Sequence, residues 1–321
     1  MSTMKACVDI GGTKVAVSLV SDAQASAGAS LPAAMSVRVA EPTVKTGDVN
    51  ALAHQVLALI DSACAQQGIT RADLAATGVS SCGPFVLIDG RIEVANPNIC
   101  GGLAGSPRGI GNEWTHVPLE APLLAALGQV RIANDAVAAL MAERRWGALR
   151  GSDHCAYVTW STGVGVGLCV DGRVLSGKNG NAGHAGHSFV VDGDAAAICG
   201  CGNHGDVESM IAGGSLARRI GMDAASVMTA AANGDASAAR IVQQLCEVMG
   251  RLLYNLVATL DLQRISIGGS VFLNHSAMLL PMLEREVLRY FPALTQGVEL
   301  RVAGLGDKVG DYAALALVAD D

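Results

Sequence analysis

Two strand–turn–strand segments, one near the start of the chain and one near its middle, constrain the fold most. Residues 8–17 read VDIGGTKVAV and residues 159–168 read TWSTGVGVGL. Each is a short run rich in β-branched residues, a Gly/Thr turn and a second run. Strands joined by so few residues must pair as antiparallel hairpins, because parallel strands need a long crossover. The repeated layout predicts two similar halves, although two unrelated hairpins would look the same.

Strand-like and helix-like segments alternate along the rest of the chain, which favours an α/β fold. The apolar periodicity predicts helices over 49–67, 118–127, 136–146, 207–220 and 238–260. It predicts strands over 77–81, 130–133 and 264–267, hairpins over 85–95 and 156–170, and an irregular Gly-rich segment over 176–215. A length of 321 residues is enough for two domains.

Charge and composition exclude several classes of partner. Lys and Arg total 22 against 29 Asp and Glu, and no basic stripe is visible, so we expect no nucleic-acid partner. The apolar stretches are far shorter than the roughly 20 residues that span a bilayer, and the N-terminal segment lacks an extended apolar region. We therefore expect no membrane partner and no signal peptide. Nine scattered Cys favour the reducing cytoplasm over a disulfide framework.

The first turn, at 9–14, has the composition of a phosphate-binding turn. Gly11 and Gly12 let backbone N–H groups approach an anion without a Cβ in the way. Thr13 offers a hydroxyl donor, and Asp9, at the strand end, can hold a hydrated Mg²⁺. The turn is not a Walker A loop, because a strand rather than a helix follows it.

The second turn lies in the Gly-rich run 163–167. This run is a poor dinucleotide fingerprint, because no helix follows it and its spacing is wrong, so we exclude a dehydrogenase. Two such turns that face each other across a cleft can clasp a polyphosphate from both sides.

Asn134-Asp135 lies where the predicted strand 130–133 passes into a helix. Side chains at the carboxyl end of a strand in an α/β sheet commonly face the ligand crevice. The helix N-terminus favours an ionised carboxylate, which can take the proton of a hydroxyl that attacks phosphorus. Taken alone, a helix N-cap is the more common use of an Asp at such a place.

The segment 180–206 has the composition of a metal-binding loop. Cys199 and Cys201 supply two thiols, with His187 upstream and Asp206 downstream, which makes four ligands for tetrahedral Zn²⁺. C-x-C is less diagnostic than C-x-x-C, so a loop with incidental cysteines is the alternative. Glu208, at the start of the predicted helix, is either a carboxylate that pairs with the helix dipole or a sugar ligand positioned by the loop.

The order of the motifs is far more specific than any one of them. They are DIGGTK at 9–14, NPN at 96–98, ND at 134–135, STGVG at 161–165, AGHAGH at 182–187 and CGCGNHG at 199–205. In this succession the chain resembles the ROK family of bacterial sugar kinases and repressors. The resemblance implies an α/β, actin-like/hexokinase (ribonuclease H-like) two-lobe fold that binds ATP between its lobes. It places a small lobe with the first phosphate turn at 1–126, on which a helix at about 310–321 packs. It places a large lobe at 127–309, with the catalytic Asp, the second phosphate turn, the zinc-like loop and the dimerisation helices.

The same resemblance implies roles for individual residues, with Asp135 as the catalytic base. The implied sugar ligands are Gly83, Asn98, Asn134, His184, His187 and Glu208. The implied ligands of ATP and Mg²⁺ are Asp9, Gly11, Gly12, Thr13, Lys14, Thr162, Gly163, Gly165, Gly268 and Gly269. The implied Zn²⁺ ligands are His187, Cys199, Cys201 and Asp206.

Two positions depart from the family pattern. The metal motif usually ends in Cys where this chain has Asp206, so Zn²⁺ is either held with a carboxylate ligand or bound weakly or lost. The family commonly has the motif A-G-E-x-G-H, and this chain has His184 at the position of that Glu. A neutral imidazole donates as well as accepts hydrogen bonds. We therefore expect this chain to recognise a different arrangement of hydroxyl or amide groups on the sugar. A-G-H-x-G-H occurs in bacterial N-acetylmannosamine kinases of the family.

We therefore predict a cytoplasmic ATP-dependent 6-kinase for an amino or N-acetylamino hexose such as N-acetylmannosamine, assembled as a homodimer or homotetramer. Glucokinase, N-acetylglucosamine kinase and 3-amino-3-deoxyglucose (kanosamine) kinase are the alternative enzymes. A ROK repressor would carry a winged helix before the lobes, for which a phosphate turn at residue 9 leaves no room. A sugar-sensing regulator without catalysis is the alternative of another class, because His184 and Asp206 are altered.

Overall fold

The computed structural model describes residues 4–21, 35–103, 109–192, 194 and 196–319. The chain forms two compact units. The first consists of Met1–Trp146, Ser176–Ala182 and Lys308–Asp321, and the second of Gly147–Leu175 and Gly183–Asp307. Asp135 belongs to the first of these units, whereas the predicted lobes place it in the second. The predicted lobe boundary after residue 126 stays a prediction.

Among the described residues, eleven strands and α-helices precede the first boundary between the units. They are β1 (Met4–Ile10), β2 (Lys14–Ser21), β3 (Val37–Pro42), α1 (Ala51–Gln66), β4 (Leu74–Ser81), β5 (Phe85–Ile88), β6 (Arg91–Val94), β7 (Val117–Pro118), α2 (Glu120–Leu127), β8 (Val130–Asn134) and α3 (Asp135–Trp146).

The remaining elements start with those of the second unit. They are β9 (Cys155–Trp160), β10 (Val164–Val170), β11 (Arg173–Val174), α4 (Val207–Ile211), α5 (Gly213–Ile220), α6 (Ala224–Ala232), α7 (Ala236–Leu260), β12 (Arg264–Gly268), α8 (Ser270–Leu273), α9 (Ser276–Leu288), α10 (Pro292–Thr295), β13 (Glu299–Val302) and, back in the first unit, α11 (Val309–Ala316). Short 3₁₀ helices occupy Arg71–Asp73, Ala185–His187 and Gly306–Lys308.

The two units contain sheets of the same topology. The sheet of the first unit has the order β3-β2-β1-β4-β8, and that of the second has the order β11-β10-β9-β12-β13. In each, the first three strands along the chain pair antiparallel, and the last two run parallel to the first. The two hairpins predicted from the repeated motif are therefore confirmed, and each opens an equivalent sheet. A small sheet, β5-β6-β7, extends the first unit.

Alternating apolar residues give each sheet one face that packs into the hydrophobic core. In β1, Ala6, Val8 and Ile10 are fully buried, and α1 covers the sheet with Leu52 and Val56, which are also fully buried. A period of two on a strand and of three to four on a helix brings one face of each together.

The helix α11 packs against β1, β4 and α3. Gly78 on β4 permits this approach, because a Cβ there would overlap the carbonyl oxygen of Ala314 on α11. The contact explains why a strand interior contains a glycine at this position.

The core of the second unit is formed by β9, β12 and the long helix α7. Leu245, Met249 and Leu252 line the buried face of α7 and belong to the same apolar cluster as Val158. Asp235 caps this helix by accepting hydrogen bonds from the N–H groups of residues 237 and 238. The helix predicted over 238–260 is thus confirmed and starts two residues earlier.

The helix predicted over 207–220 is wrong as a single element. Ala212 adopts an extended conformation, with φ −65° and ψ 143°, and divides the segment into α4 and α5. The N–H of Gly213 donates to the carbonyl of Ser161 at 2.8 Å, so a tertiary hydrogen bond replaces a helical one. Two consecutive glycines weaken the helix where it breaks.

No described helix has both the length and the apolar character that a membrane crossing requires.

Candidate functional site

Three parallel strands of the first unit end at the same edge of the sheet. Ile10 on β1 lies opposite Ser81 on β4, and Ser81 lies opposite Asn134 on β8. The residues that follow each strand leave the sheet at this edge: the first turn, Cys82-Gly83 and Asp135. The register of the sheet therefore gathers several residues that the sequence singles out.

Asp9 and Asp135 interact electrostatically at this edge. Burial and the negative charge of Asp135 together raise the pKa of Asp9 to about 6, against the opposing charges of Arg38 and Lys14. Asp135 is the first residue of α3 and its side chain is exposed. Two neighbouring carboxylates, one of them accessible, can bind a divalent cation and accept a proton.

The N-terminus of α3 uses both residues of the Asn134-Asp135 pair. The N–H of Ala136 donates to Oδ1 of Asn134 at 3.0 Å and to Oδ1 of Asp135 at 2.8 Å. Asn134 is buried, whereas Asp135 retains an exposed side chain. Asp135 thus contributes to the helix start without being enclosed by it.

Thr43 braces the first turn and has no signal in the sequence. Its hydroxyl donates to the carbonyl of Gly11 at 2.7 Å, and its N–H donates to the carbonyl of Thr13 at 3.0 Å. The N–H of Gly11 donates to the carbonyl of Lys14 at 2.8 Å across the turn. Thr43 is buried and follows β3, so only the pairing of β3 with β2 brings it here.

The loop 96–98 joins the first turn to Gly83. Oδ1 of Asn96 accepts a hydrogen bond from the N–H of Asn98 at 2.8 Å, and its Nδ2 donates to the carbonyl of Gly83. A Cβ on Gly12 would lie 2.7 Å from Cβ of Asn98. The close approach of Asn98 therefore requires glycine at position 12.

Cys82 lies between these groups and was not singled out by the sequence. Burial raises the pKa of its thiol well above the usual value, and the carboxylates of Asp135 and Asp9 add to the effect. The thiol is half-buried and stays protonated near neutral pH, so it is a poor nucleophile.

The second unit arranges its own turn at an equivalent sheet edge. The N–H of Ser161 donates to the carbonyl of Gly163 at 2.9 Å and closes the turn. On the parallel strand β12, Gly268 lies opposite Thr159. Gly269 follows with φ +87°, and a Cβ there would overlap the backbone of Trp160. Gly268 and Gly269 thus lie beside the strand that leads into the second turn.

Glu208, on α4, contacts both the second turn and the metal-binding loop. Its Oε2 accepts a hydrogen bond from the N–H of Val164 at 2.9 Å, and its Oε1 accepts one from Sγ of Cys199 at 3.3 Å. A Cβ on Gly163 would lie only 2.8 Å from Oε2. Both carboxylate oxygens are therefore engaged within this unit.

The four residues of the predicted metal loop converge. One ligand atom from each of His187, Cys199, Cys201 and Asp206 lies within 4.8 Å of the others. Nδ1 of His187 is 3.2 Å from Oδ2 of Asp206, 3.5 Å from Sγ of Cys199 and 3.6 Å from Sγ of Cys201. Sγ of Cys201 is 3.7 Å from Oδ2 of Asp206. This set of nitrogen, sulfur and oxygen atoms can bind a metal ion.

Electrostatics within this cluster favour the ionised form of Asp206, which is the form that binds a metal, and the protonated form of His187, which must lose its proton to bind one. The hydrogen bond to Asp206 raises the pKa of His187. Burial would raise the pKa of Asp206, but hydrogen bonds from His187, the Ser209 N–H and Cys199 outweigh it and lower the pKa. Oδ1 of Asp206 also caps α4, because it accepts from the Ser209 N–H at 2.7 Å.

His184 lies beside this cluster, with its ring centre 6.0 Å from that of His187. Burial lowers the pKa of His184 to about 4, and the charge of His187 contributes. The imidazole is therefore neutral near pH 7. Its Nε2 is buried, and among the described residues it has no hydrogen-bond partner. A buried polar atom of this kind requires a partner other than the described residues, either a water molecule or a ligand.

The structure thus distributes the predicted site residues between the units. The first unit contains Asp9, Gly11, Gly12, Thr13, Lys14, Gly83, Asn98, Asn134 and Asp135, and the second contains Thr162, Gly163, Gly165, His184, His187, Cys199, Cys201, Asp206, Glu208, Gly268 and Gly269. Within each unit, a glycine turn contacts a predicted sugar ligand.

Comparison with known proteins gives concordant matches along the chain. The model of the ROK family matches residues 5–321. N-acetylmannosamine kinase from Citrobacter koseri is 35% identical over 317 residues, which cover 95% of this chain and 96% of that protein.

Solved structures share the fold. The ROK hexokinase from Thermus thermophilus superimposes with a TM-score of 0.76 and 29% identity, covering 98% of this chain and 97% of that one. A ROK glucokinase from Streptomyces griseus, solved with glucose and AMPPNP, gives a TM-score of 0.69 and 25% identity over 98% of both chains. The α/β fold is thus the actin-like/hexokinase two-lobe fold.

The raised pKa of Asp9 predicts how one substitution changes stability with pH. In the folded protein Asp9 has a pKa of about 6, whereas its ordinary value is 3.8. Ionisation of Asp9 therefore lowers the free energy of unfolding as the pH rises from about 4 to 6, and this loss of stability remains at higher pH. With Mg²⁺ chelated, Asp9→Asn should be more stable than the parent at pH 7.5, by at most about 3 kcal/mol.

The difference should disappear near pH 4 in thermal or urea unfolding. Asp307→Asn, which removes an exposed carboxylate, is the matched control for the loss of one charge. Equal stability of Asp9→Asn and the parent across this range would show that the Asp9 carboxylate is not destabilised by its surroundings.

Proposed function

Because the chain belongs to the ROK family, we propose that it is an ATP-dependent kinase that phosphorylates the 6-hydroxyl of an amino or N-acetylamino hexose such as N-acetylmannosamine. The observation that carries this proposal is the accessible Asp135 carboxylate beside Asp9, at the edge where the first glycine turn leaves the sheet. A proton acceptor next to a phosphate turn is what phosphoryl transfer to a hydroxyl requires.

Asp135 is the general base of the proposed reaction. Its carboxylate accepts the proton of the sugar 6-hydroxyl while that oxygen attacks the γ-phosphorus, and ADP leaves with the electrons of the broken P–O bond. Asp9 would hold Mg²⁺, which neutralises phosphate charge when bound. The turn 9–14, braced by Thr43, presents backbone N–H groups to phosphate oxygens.

Gly83, Asn98 and Asn134 are proposed sugar ligands in the first unit. Asn96 holds the first two in place through its hydrogen bonds to the Asn98 N–H and the Gly83 carbonyl. The side chain of Asn134 is held by a hydrogen bond that its Oδ1 accepts from the N–H of Ala136. Amide side chains pre-positioned by backbone contacts lose little entropy when they bind hydroxyl groups.

His184 supports an amino or N-acetylamino hexose over glucose. A carboxylate at this position only accepts hydrogen bonds, whereas the neutral imidazole of His184 also donates. Its buried Nε2 has no partner among the described residues, and the carbonyl of an N-acetyl group is an acceptor that would satisfy an N–H there. The relative from Citrobacter koseri, an N-acetylmannosamine kinase, agrees with this choice. Glucose, as bound by the Streptomyces griseus relative, is the alternative.

We further propose that the four-residue cluster binds Zn²⁺. Ligand distances of 2.0–2.3 Å in a tetrahedral site place neighbouring ligand atoms about 3.3–3.8 Å apart. Four of the six separations between the ligand atoms, at 3.2, 3.5, 3.6 and 3.7 Å, lie close to this range, and all six are within 4.8 Å. The set of one nitrogen, two sulfurs and one oxygen suits zinc. The carboxylate of Asp206 thus replaces the usual fourth thiolate, and the site would fix the loop that contains His184 and His187.

A homodimer or homotetramer in the cytoplasm is also proposed. Phe291 and Leu288 are 63% and 53% exposed at the junction of α9 and α10, and Leu294 is 37% exposed nearby. Adjacent exposed apolar side chains commonly contact another protein. Light scattering of the purified protein measures the assembly.

Asp135→Asn should fold normally and lose turnover. Asn keeps an oxygen for the Ala136 N–H but accepts no proton, so kcat should fall about 10²–10⁴-fold with little change in melting temperature. ADP release coupled to a dehydrogenase measures this, with glucose, mannose, glucosamine, N-acetylglucosamine, N-acetylmannosamine and 3-amino-3-deoxyglucose as acceptors. We expect the highest kcat/KM for N-acetylmannosamine.

Asp235→Asn, which alters the cap of α7, is the control and should retain parental turnover. Parental turnover of Asp135→Asn would refute the proposed base. If no hexose stimulates ADP release by the parent, the proposed kinase activity is refuted and the sugar-sensing regulator is favoured.

Asp206→Asn should lose the metal while keeping its helix cap. Asn retains an oxygen for the Ser209 N–H, but a neutral amide is a much weaker zinc ligand than a carboxylate. Elemental analysis should find about one zinc per parental chain and far less in the variant, and chelation should lower the melting temperature of the parent only.

Asp223→Asn is the matched control, because Asp223 caps α6 through the same contact to the N–H three residues later. Zinc at equal content in Asp206→Asn and the parent would remove Asp206 from the ligand set.

A further inference from the structure

Glu208 places a carboxylate inside the turn that is proposed to bind nucleotide phosphates. The N–H of Val164, the last residue of that turn and the first of β10, donates to Oε2 at 2.9 Å. The same oxygen fills the space that a side chain on Gly163 would occupy, 2.8 Å from the Cβ position. The turn therefore already holds an anion, supplied by the protein itself.

This arrangement conflicts with the binding of a phosphate at the same place. A backbone N–H that donates to a carboxylate is engaged and is not available to a phosphate oxygen. The carboxylate also carries a negative charge, and like charges at close range repel strongly in a partly buried site. Nucleotide binding is thus opposed as long as Glu208 stays on the turn.

The second carboxylate oxygen shows what else Glu208 contacts. Oε1 lies 3.3 Å from Sγ of Cys199, so the side chain contacts both the turn and the loop that contains His184 and His187. Both histidines are proposed sugar ligands, as is Glu208 itself. A sugar that binds here offers hydroxyl donors to the same carboxylate.

The first unit has a comparable contact without the charge. There the proposed sugar ligand Asn98 lies against Gly12, with Cβ of Asn98 2.7 Å from the Cβ position of the glycine. Asn98 is neutral, and its N–H is satisfied by Asn96. In the second unit the contact combines a negative charge with a hydrogen bond to the turn.

We propose that Glu208 makes nucleotide binding depend on the sugar. In the sugar-free protein its carboxylate occupies the second turn and opposes the nucleotide. Sugar hydroxyls draw the carboxylate off the Val164 N–H, which then becomes available to a phosphate oxygen. The inference rests on the proposed kinase function, and it assigns to Glu208 a role in addition to sugar binding. The same contact would disfavour hydrolysis of ATP in the absence of an acceptor.

Glu208→Gln tests the proposal without any sugar present. Titration calorimetry measures the Kd of the non-hydrolysable analogue AMPPNP, with Mg²⁺, for the parent and the variant as purified. Removal of the charge should tighten AMPPNP binding about tenfold or more. An unchanged or weaker affinity would overturn the proposal, because a residue that binds only sugar has no effect on nucleotide in the absence of sugar.

Two controls accompany this titration. Glu284→Gln removes a half-buried carboxylate from α9 of the same unit and should leave the AMPPNP affinity at the parental value. Metal content and melting temperature are measured for every variant, and Glu208→Ala serves if the Gln variant is unstable. If neither the parent nor any variant binds AMPPNP, the proposed kinase function fails instead.

A second titration adds N-acetylmannosamine at saturation. The sugar should tighten AMPPNP binding to the parent about tenfold and change binding to Glu208→Gln less than twofold, because the coupling free energy resides in the carboxylate. Parental coupling in the Gln variant at saturating sugar would contradict the proposal.

Discussion

The in-register pairing of parallel strands is the constraint on which the site depends. Because Ile10, Ser81 and Asn134 are opposite one another on β1, β4 and β8, the segments that follow them emerge at one edge. A shift of one residue in this register would turn Asp9 away from that edge and bury it against apolar residues. The apolar face of β1 prevents such a shift, since Ala6, Val8 and Ile10 must remain in the core. Packing and chemistry are therefore fixed by the same alternation.

The second unit repeats the sheet but uses the edge differently. The first unit presents two carboxylates near its turn, whereas the second brings a histidine- and cysteine-containing loop to its turn through Glu208. In both units the glycine of the turn lies against a proposed sugar ligand. Glycine at these positions therefore reflects side-chain contacts as well as space for an anion, and the proposed phosphate and sugar contacts share backbone.

Much of the fold, and part of the candidate site, could be predicted from the sequence. Strand alternation and tight turns predicted both hairpins, and the helical period predicted α1, α3 and α7 within two residues. The order of motifs identified the family, and the spacing of His187, Cys199, Cys201 and Asp206 predicted a cluster whose ligand atoms converge. The local sequence pattern is sufficient to predict these elements, because the residues within each element determine its conformation.

The remainder depends on contacts between distant segments. The break at Ala212 arises from a hydrogen bond to Ser161, and Thr43 reaches the first turn only through the pairing of β3 with β2. The engagement of Glu208 by Val164 and Cys199 likewise has no local signature. The sequence left Glu208 open between a helix-dipole carboxylate and a sugar ligand, and neither alternative included the second turn.

In the proposed reaction a carboxylate at this sheet edge deprotonates the 6-hydroxyl of a hexose, and that oxygen attacks ATP. ³¹P and ¹³C NMR of the product formed from ATP and N-acetylmannosamine identifies the oxygen that is phosphorylated. We expect a new phosphomonoester whose phosphorus couples to C6 of the sugar, with stoichiometric ADP. ATP consumption that yields only inorganic phosphate, or a phosphate attached to another carbon, would contradict the proposed reaction.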